Sequence, residues 1–365
     1  MNNLELYTKL AERHDKGQMV GAPMTKTLLK IFMHLYNPEE AEVALTLPFD
    51  KNLSLSEVKA LNPDKGDRIE AILDGMASGG TVYCDLRPGK DKRYRLLPSL
   101  VGWQETPFWS GRETEQAKAL SPLYKEYHQE AFAAEMARGI PLMRVIPVDT
   151  SLNATSDILP FDDIKPMIDA SSYQAVGHCP CRINAKFRGE ACHYSTENCL
   201  HFGGMARYMV AHGLAREITK EETLKILKAA DDEGLVHIID NIEGHMHTIC
   251  NCCPCCCSFL VPINKNWGLD MLSYANYLAL VDGNACVGCG VCENRCPVGA
   301  VKVIDDAAHV DKTTCLGCGA CASACPTEAI RLGLRKEFKP PPQVHEFAAA
   351  RLKNSSVKAS LNLKK

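Results

Sequence analysis

Six of the eight residues from 250 to 257 are cysteine, in the order Cys250-Asn251-Cys252-Cys253-Pro254-Cys255-Cys256-Cys257. A hydrophobic core has no use for so dense a row of thiols, and neighbouring cysteines make strained disulfide partners. Whatever fold the chain adopts must gather these side chains around soft metal. The remaining cysteines fall in groups as well. Cys84 stands alone, Cys179, Cys181, Cys192 and Cys199 form a set of four, and eight more lie between 286 and 325, giving an odd total of 19. The first 178 residues hold only one of them, so a boundary near 150–175 is expected.

Composition supports metal over disulfides. The chain has 365 residues, 46% hydrophobic and 23% charged, which is globular and long enough for about two or three domains. A net charge of −3 gives no basic surplus for nucleic acid or an anionic membrane. The N-terminal MNNLELYTKLAERHDK is polar, without the apolar core of a signal peptide, and no apolar run reaches transmembrane length. The expectation is a cytoplasmic protein in a reducing compartment, where an odd cysteine count points to metal ligation.

The C-terminal third is internally repeated. VDGNACVGCGVCENRCPVGAV (281–301) matches VDKTTCLGCGACASACPTEAI (310–330), and each copy reads C-x2-C-x2-C-x3-C-P. This is the run of bacterial two-cluster ferredoxins, in which the fourth cysteine of each copy serves the other cluster. One 4Fe–4S cluster is therefore assigned Cys286, Cys289, Cys292 and Cys325, and the second Cys315, Cys318, Cys321 and Cys296. Gly288, Gly290, Gly317 and Gly319 let the backbone turn tightly and aim amides at sulfur. A tandem copy of the whole run outweighs a pair of zinc knuckles.

The middle cysteines follow C-x-C-x10-C-x6-C from Cys179 to Cys199, then the 250–257 run. Tyr173 to Val176 reads as a strand entering the first pair. LHFGGMARYMVAHGL reads as a helix with Cys199 at its N-terminus, where the helix dipole favours thiolate. Thr219-x-x-Glu222 is a capping box before a helix with Leu224, Leu227 and Ala230 as its apolar stripe. Val236 to Ile239 reads as a strand, and a turn then leads to the 250–257 run. The candidate metal ligands are Cys179, Cys181, Cys192 and Cys199 with Cys252, Cys253, Cys255 and Cys256. Iron–sulfur is preferred, because a neighbouring ferredoxin needs an electron partner, but four thiolates satisfy zinc equally well. His178, His193, His201, His245 and His247 lie nearby, each read singly as capping or solvated. Arg182 is either a charge partner of an anionic cluster or a surface arginine.

The N-terminal half has a helix–helix–helix–hairpin pattern over 25–98. Asn37-Pro38-Glu39-Glu40 and Ser54-x-x-Glu57 are helix starts, Gly79-Gly80 is a stop, and TVYCDL and RYRLLP are strands. That is a winged-helix outline. The helix that would enter a DNA groove carries Asp67, Arg68, Glu70 and Asp74, the wrong charge for phosphate. A docking module is preferred to a DNA-binding one. Cys84 is read as a small buried apolar residue. Residues 112–138 read as amphipathic helix, 142–148 as a strand, 151–156 as loop, and the stretch after Pro340 as a basic, mobile tail with one short helix at 344–352.

The last third thus closely resembles bacterial two-cluster ferredoxins over all eight ligands. The whole chain more loosely resembles a family of multi-cluster ferredoxin-like iron–sulfur proteins of anaerobic bacteria and archaea, through Cys179-Pro180-Cys181-Arg182, Cys192, Cys199 and the run from Asn251 to Cys257. That resemblance implies electron transfer in anaerobic metabolism and names no substrate. The combined expectation is an α+β protein in four parts: a winged-helix-like region (1–110), a cysteine-rich α/β metal-binding domain (111–275), a two-cluster ferredoxin domain of ββα repeats (276–335) and a tail (336–365). It would carry two 4Fe–4S clusters and at least one further iron–sulfur cluster. No G-x-G-x-x-G or G-x4-G-K-[ST] loop is present, so hydride or nucleotide chemistry falls to a redox partner protein, with this chain an electron carrier, an oligomer or a complex subunit. The alternatives are a redox-sensing regulator and a reductase whose middle cluster is catalytic.

Overall fold

A computed structural model describes residues 2–16, 18–148, 159, 162–337 and 339–352. The helices of the N-terminal layer begin where capping chemistry dictates. Asn2, Thr25 and Asn37 each accept a backbone N–H of the first turn of helices Asn3–Asp15, Lys26–Leu35 and Pro38–Thr46. Asn37 and Glu40 cap reciprocally, as do Ser54 and Glu57 at helix Leu55–Leu61. Strand β1 (Leu53–Ser54) adds to the hairpin of β2 (Val82–Asp85) and β3 (Arg93–Leu96), giving an antiparallel sheet in the order β1-β3-β2. Cys84 is buried in β2. Helix Glu115–Tyr127 packs across Lys26–Leu35, and Trp103, Phe32, Tyr124 and His14 fill the space around them.

The middle of the chain forms a seven-stranded sheet. Its strands are β4 (Met143–Ile146), β5 (Gln174–His178), β6 (Glu197–Phe202), β7 (Arg216–Ile218), β8 (Val236–Asp240), β9 (Thr248–Cys252) and β10 (Leu272–Ser273). They lie in the order β10-β4-β8-β9-β6-β5-β7, antiparallel except for β10 beside β4. Successive residues of a strand face opposite sides. One face buries Val176, Leu200, Phe202, Ile239 and Ile249 against Ile168 and Leu227 of helices Lys165–Ala170 and Lys220–Glu233. Leu200 pairs with Ile249 across β6 and β9. Their neighbours Cys199 and Cys250 therefore face the other side, toward the N-terminal layer.

Three sequence expectations change here. Cys199 lies inside β6, and the helix starts only at Gly203, whose φ of 62° ends the strand. The 250–257 run begins as the end of β9 rather than after a turn. Leu224 is exposed, while Leu227 and Ala230 carry the apolar stripe. The expected loop at 151–156 lies outside the described residues.

In the last third, each copy of the repeat runs from strand through cysteine loop and short helix to strand. The outer strands β11 (Tyr277–Val281) and β14 (Ile330–Leu334) pair, as do the inner strands β12 (Val301–Ile304) and β13 (Ala307–Val310). At Gly288 and Gly317 a Cβ would lie 2.5 and 2.2 Å from the carbonyl oxygens of Asp306 and Tyr277, so only glycine fits. The short helix expected at 344–352 is present as Val344–Leu352, but it is docked rather than part of a mobile tail. Phe347 is buried, and the Arg351 guanidinium, fully buried, donates to the carbonyls of Met19, Glu135, Met136, Arg138 and Ile140. Residues 353–365 lie outside the described ones. No helix among the described residues is long and apolar enough to cross a membrane.

Candidate metal centres

The ferredoxin cysteines gather as two sets of four. Cys286, Cys289, Cys292 and Cys325 line one small cavity, and Cys296, Cys315, Cys318 and Cys321 line a second. The chain thus brings the fourth cysteine of each copy to the opposite set. Backbone amides already point at sulfur: Ala308 N–H donates to Cys286 Sγ at 3.4 Å and Ala300 N–H to Cys296 Sγ at 3.1 Å. Such bonds stabilise a reduced, more anionic cluster. The two sets differ in exposure. Cys289 is exposed beside Val287 and Val291, whereas Cys315, Cys318 and Cys321 are buried.

The ten middle cysteines divide differently from their order in the chain. Cys192, Cys253, Cys255 and Cys256 form a cage whose sulfurs all lie within 4.8 Å of one another. The other six make an unbroken series of thiol contacts, Cys199 to Cys250 to Cys252 to Cys257 to Cys181 to Cys179. Cys199 also feels the charges of Cys179 and Cys181, and all six thiols border one cavity as an open ring. The sets read from sequence, 179–199 and 250–257, are therefore exchanged. Cys192 leaves the first for the cage, and Cys252 joins the ring.

Local structure explains the exchange. Cys250 and Cys252 are two apart on β9 and share a face, which carries both into the ring. Cys253, one residue on, turns the other way. The vicinal pairs Cys252-Cys253 and Cys256-Cys257 thus each give one thiol to either centre. Cys250 and Cys257 were not among the candidates, although the alternation of β9 marks Cys250 once the strand is recognised.

The electrostatics are those of thiols sharing few protons. Contacts with Cys199 and Cys252 hold Cys250 down to about 5. Cys256 and the Arg182 cation do the same for Cys253, also to about 5. Their partners Cys199, Cys252 and Cys256 are pushed up correspondingly. Arg182 is not a surface residue. It is 2% exposed and donates to the Asn251 carbonyl at 3.0 Å and to Asn198 Oδ1. Burial alone would lower its pKa, but the charges of Cys179 in the ring and of Cys253 beside it raise it. It is a buried cation between the two centres.

The ring opens on a cavity of about 240 Å³, which Cys253, Cys255 and Cys256 also reach. Its other wall is Gln104, Glu105, Phe108, Trp109 and His128 from the N-terminal half, residues the sequence did not single out. Glu105 accepts from Gly102 N–H at 2.8 Å, and burial raises its pKa well above the carboxylate range. Burial lowers His128 to about 4. Gln104 Nε2, Trp109 Nε1 and His128 Nε2 are buried without a hydrogen-bond partner. Of the histidines expected nearby, His201 touches the ring, its Nε2 being 3.2 Å from Cys199 Sγ. His178 bonds Thr196, His193 lies against Tyr194, and His245 and His247 stack on each other.

Among known proteins, the family model for the 4Fe-4S dicluster domain matches residues 279–332, which shows a ferredoxin-type domain at this end of the chain. No curated protein and no solved structure matches the chain. The C-terminal domain and the ten gathered middle cysteines together support iron–sulfur clusters beyond the two of the ferredoxin.

Proposed function

We propose that this chain is an electron-transfer protein. Electrons enter from a redox partner at the exposed cluster of Cys286, Cys289, Cys292 and Cys325. They pass through the buried cluster of Cys296, Cys315, Cys318 and Cys321 to the middle centres. The observation that carries this reading is the continuity of the cysteine loops. Asn264 Nδ2 donates both to the Pro254 carbonyl, inside the 250–257 run, and to the Pro297 carbonyl, next to Cys296, at 3.2 and 3.0 Å. The cage follows at once, and the vicinal pairs join cage to ring. Exposed Val287 and Val291, 64% and 39% accessible, flank the entry and suit a partner's apolar patch.

We read the four segments, 1–110, 111–275, 276–335 and 336–365, as the working parts of that carrier, the third as the ββα-repeat ferredoxin. The first is a winged-helix-like docking module. Its hairpin does not favour DNA, because Lys92 pairs with Asp74 at 3.0 Å and Arg93 with Glu57 at 3.6 Å, leaving those cations neutralised within the module. A gel shift on genomic fragments is expected to show no cluster-dependent specific binding.

The test is anaerobic stopped-flow reduction by a low-potential ferredoxin-type donor, followed by freeze-quench EPR. The ferredoxin signals should appear first and decay as a middle-centre signal grows. Cys289→Ser should slow entry. Direct reduction of the middle centre at the same rate in that variant would overturn the reading. A second reading, reduction of a small substrate at the ring, is favoured by one observation. Glu105, whose carboxyl pKa burial raises, lines the same cavity as the thiols, where a proton donor for reduction would be set.

A further inference from the structure

We propose that the ten middle cysteines build two metal centres of different nuclearity. Cys192, Cys253, Cys255 and Cys256 hold one tetrahedral ion. Cys179, Cys181, Cys199, Cys250, Cys252 and Cys257 hold a polynuclear iron–sulfur cluster. This goes beyond the electron-transfer reading, which leaves the nature of both centres open.

The first argument is size. A single zinc-class ion with thiolates at about 2.3 Å places its four sulfurs ~3.8 Å apart. The sulfurs of Cys255 and Cys256 are 3.8 Å apart, and all four of the cage lie within 4.8 Å. A cubane puts each cysteine on a different iron, so its four thiolates stand on the corners of a larger body. The ferredoxin sets supply the comparison within the same molecule. Among the described residues no other three thiols, including those of both ferredoxin sets, draw as close as the cage. The cage is therefore tighter than the sites that fit cubanes.

The second argument concerns the ring. Six thiols joined in series but nowhere drawn into a compact triple encircle something wider than one ion. Two zinc ions can share six cysteines, but that arrangement is closed and needs no cavity. Here the thiols border a space of about 240 Å³. The far wall offers Gln104 Nε2 and Trp109 Nε1, two N–H donors with no acceptor in the protein. Burying donors without acceptors is unfavourable, because each loses its hydrogen bond to water. Bridging sulfides of a cluster are the acceptors that a cavity bounded by thiolates would bring to them. His201 Nε2, 3.2 Å from Cys199 Sγ, completes the polar surround.

Counting acid-labile sulfide alongside metal tests the proposal whatever the identity of the single ion. The full-length protein is purified anaerobically, with the ferredoxin EPR signals as the control for folding. Cys192→Ser and Cys255→Ser should each lose one equivalent of metal and no sulfide. Cys199→Ser and Cys257→Ser should lose iron and sulfide together, leaving the cage ion and about eight irons with the ferredoxin signals intact. Sulfide loss in the cage variants would overturn the mononuclear assignment. Ring variants with unchanged iron and sulfide, or zinc as the ring metal, would overturn the cluster. Failure of electron transfer in the stopped-flow experiment would leave these counts unchanged, so the two readings fail separately. Trp109→Phe removes a donor while keeping the ring's thiols. It should retain full iron and sulfide and shift the absorption and EPR of the ring cluster alone. An unchanged spectrum would remove the donor argument.

Discussion

At the scale of the residue, Arg182 and His14 show opposite ways of burying a titratable group. Arg182 stays charged because thiolates of both middle centres surround it, and Asn251 and Asn198 hold its planar fork. Arg182→Met should keep the packing of its stem but remove the charge. Metal retention at the middle centres against a chelator should then fall about 10–100-fold, as for other groups next to metal ligands. Arg182→Lys should recover part of it, and equal retention in all three proteins would show the charge to be irrelevant. His14, fully buried among Phe32, Phe49 and Trp103, is held neutral, its pKa lowered by burial to about 3. A group of this kind gives its full stability above the unfolded-state pKa near 6.5. That stability is lost as pH falls from there toward 3. By pH 5 the loss is about 2 kcal/mol. His128 and His201, lowered to about 4 and 3, add to the same acid limb. Thermal unfolding at pH 7.5 and pH 5 should show a smaller acid drop in His14→Phe than in the parent; an identical drop would place the titration elsewhere.

At the scale of the element, strands and caps explain both what could be read in advance and what could not. The capping boxes at Asn37 and Ser54 and the hairpin of β2 and β3 follow from local side-chain chemistry, and all are present. The ferredoxin run was legible because its ligands are local in sequence and their exchange between copies follows from the repeat. The middle site was not, because adjacency along the chain is a poor guide once a strand alternates. Cys252 and Cys253 are neighbours that serve different centres, while Cys199 and Cys250 meet only through the pairing of β6 with β9. Cys199 was misplaced because apolar residues on both sides of Gly203 imitate one continuous helical stripe. The helix Val344–Leu352 was legible, but its docking was hidden for a related reason. A lone arginine in a basic stretch gives no sign that backbone carbonyls of another segment are waiting for it. Arg351→Met leaves those carbonyls without donors and should cost about 3 kcal/mol or more. Limited proteolysis should then cut near 340, and an unchanged digestion pattern would mean that Phe347 and its neighbours suffice to hold the helix.

At the scale of the whole molecule, the ferredoxin domain is tied to the sheet by bonds next to its own ligands. Val148 N–H donates to the Cys318 carbonyl at 3.0 Å, Arg335 reaches the carbonyls of Ala275 and Cys315, and Asn264 joins Pro254 to Pro297. On the other side, Ser323 Oγ donates to Asp231 Oδ1 at 3.1 Å, and the Arg295 side chain lies against Gly234, where a Cβ would come within 2.8 Å of it. On the proposed electron-transfer reading, a domain held at so many points would deliver electrons from a fixed position rather than by swinging. The internal step from the buried ferredoxin cluster to the middle centres should therefore be first order and unchanged over a tenfold dilution. Buried and adjacent, it should also be insensitive to salt, since screening acts mainly between exposed charges. Entry from the partner should instead scale with partner concentration. Asn264→Ala combined with Ser323→Ala loosens the contact without touching a thiol. It should slow the internal step while the rate of entry at the exposed cluster and the iron and sulfide content stay the same. Freeze-quench EPR separates the two steps, because each set of clusters reports its own reduction. An internal rate that rises with protein concentration would mean that electrons pass between molecules, and the fixed wire would have to be abandoned.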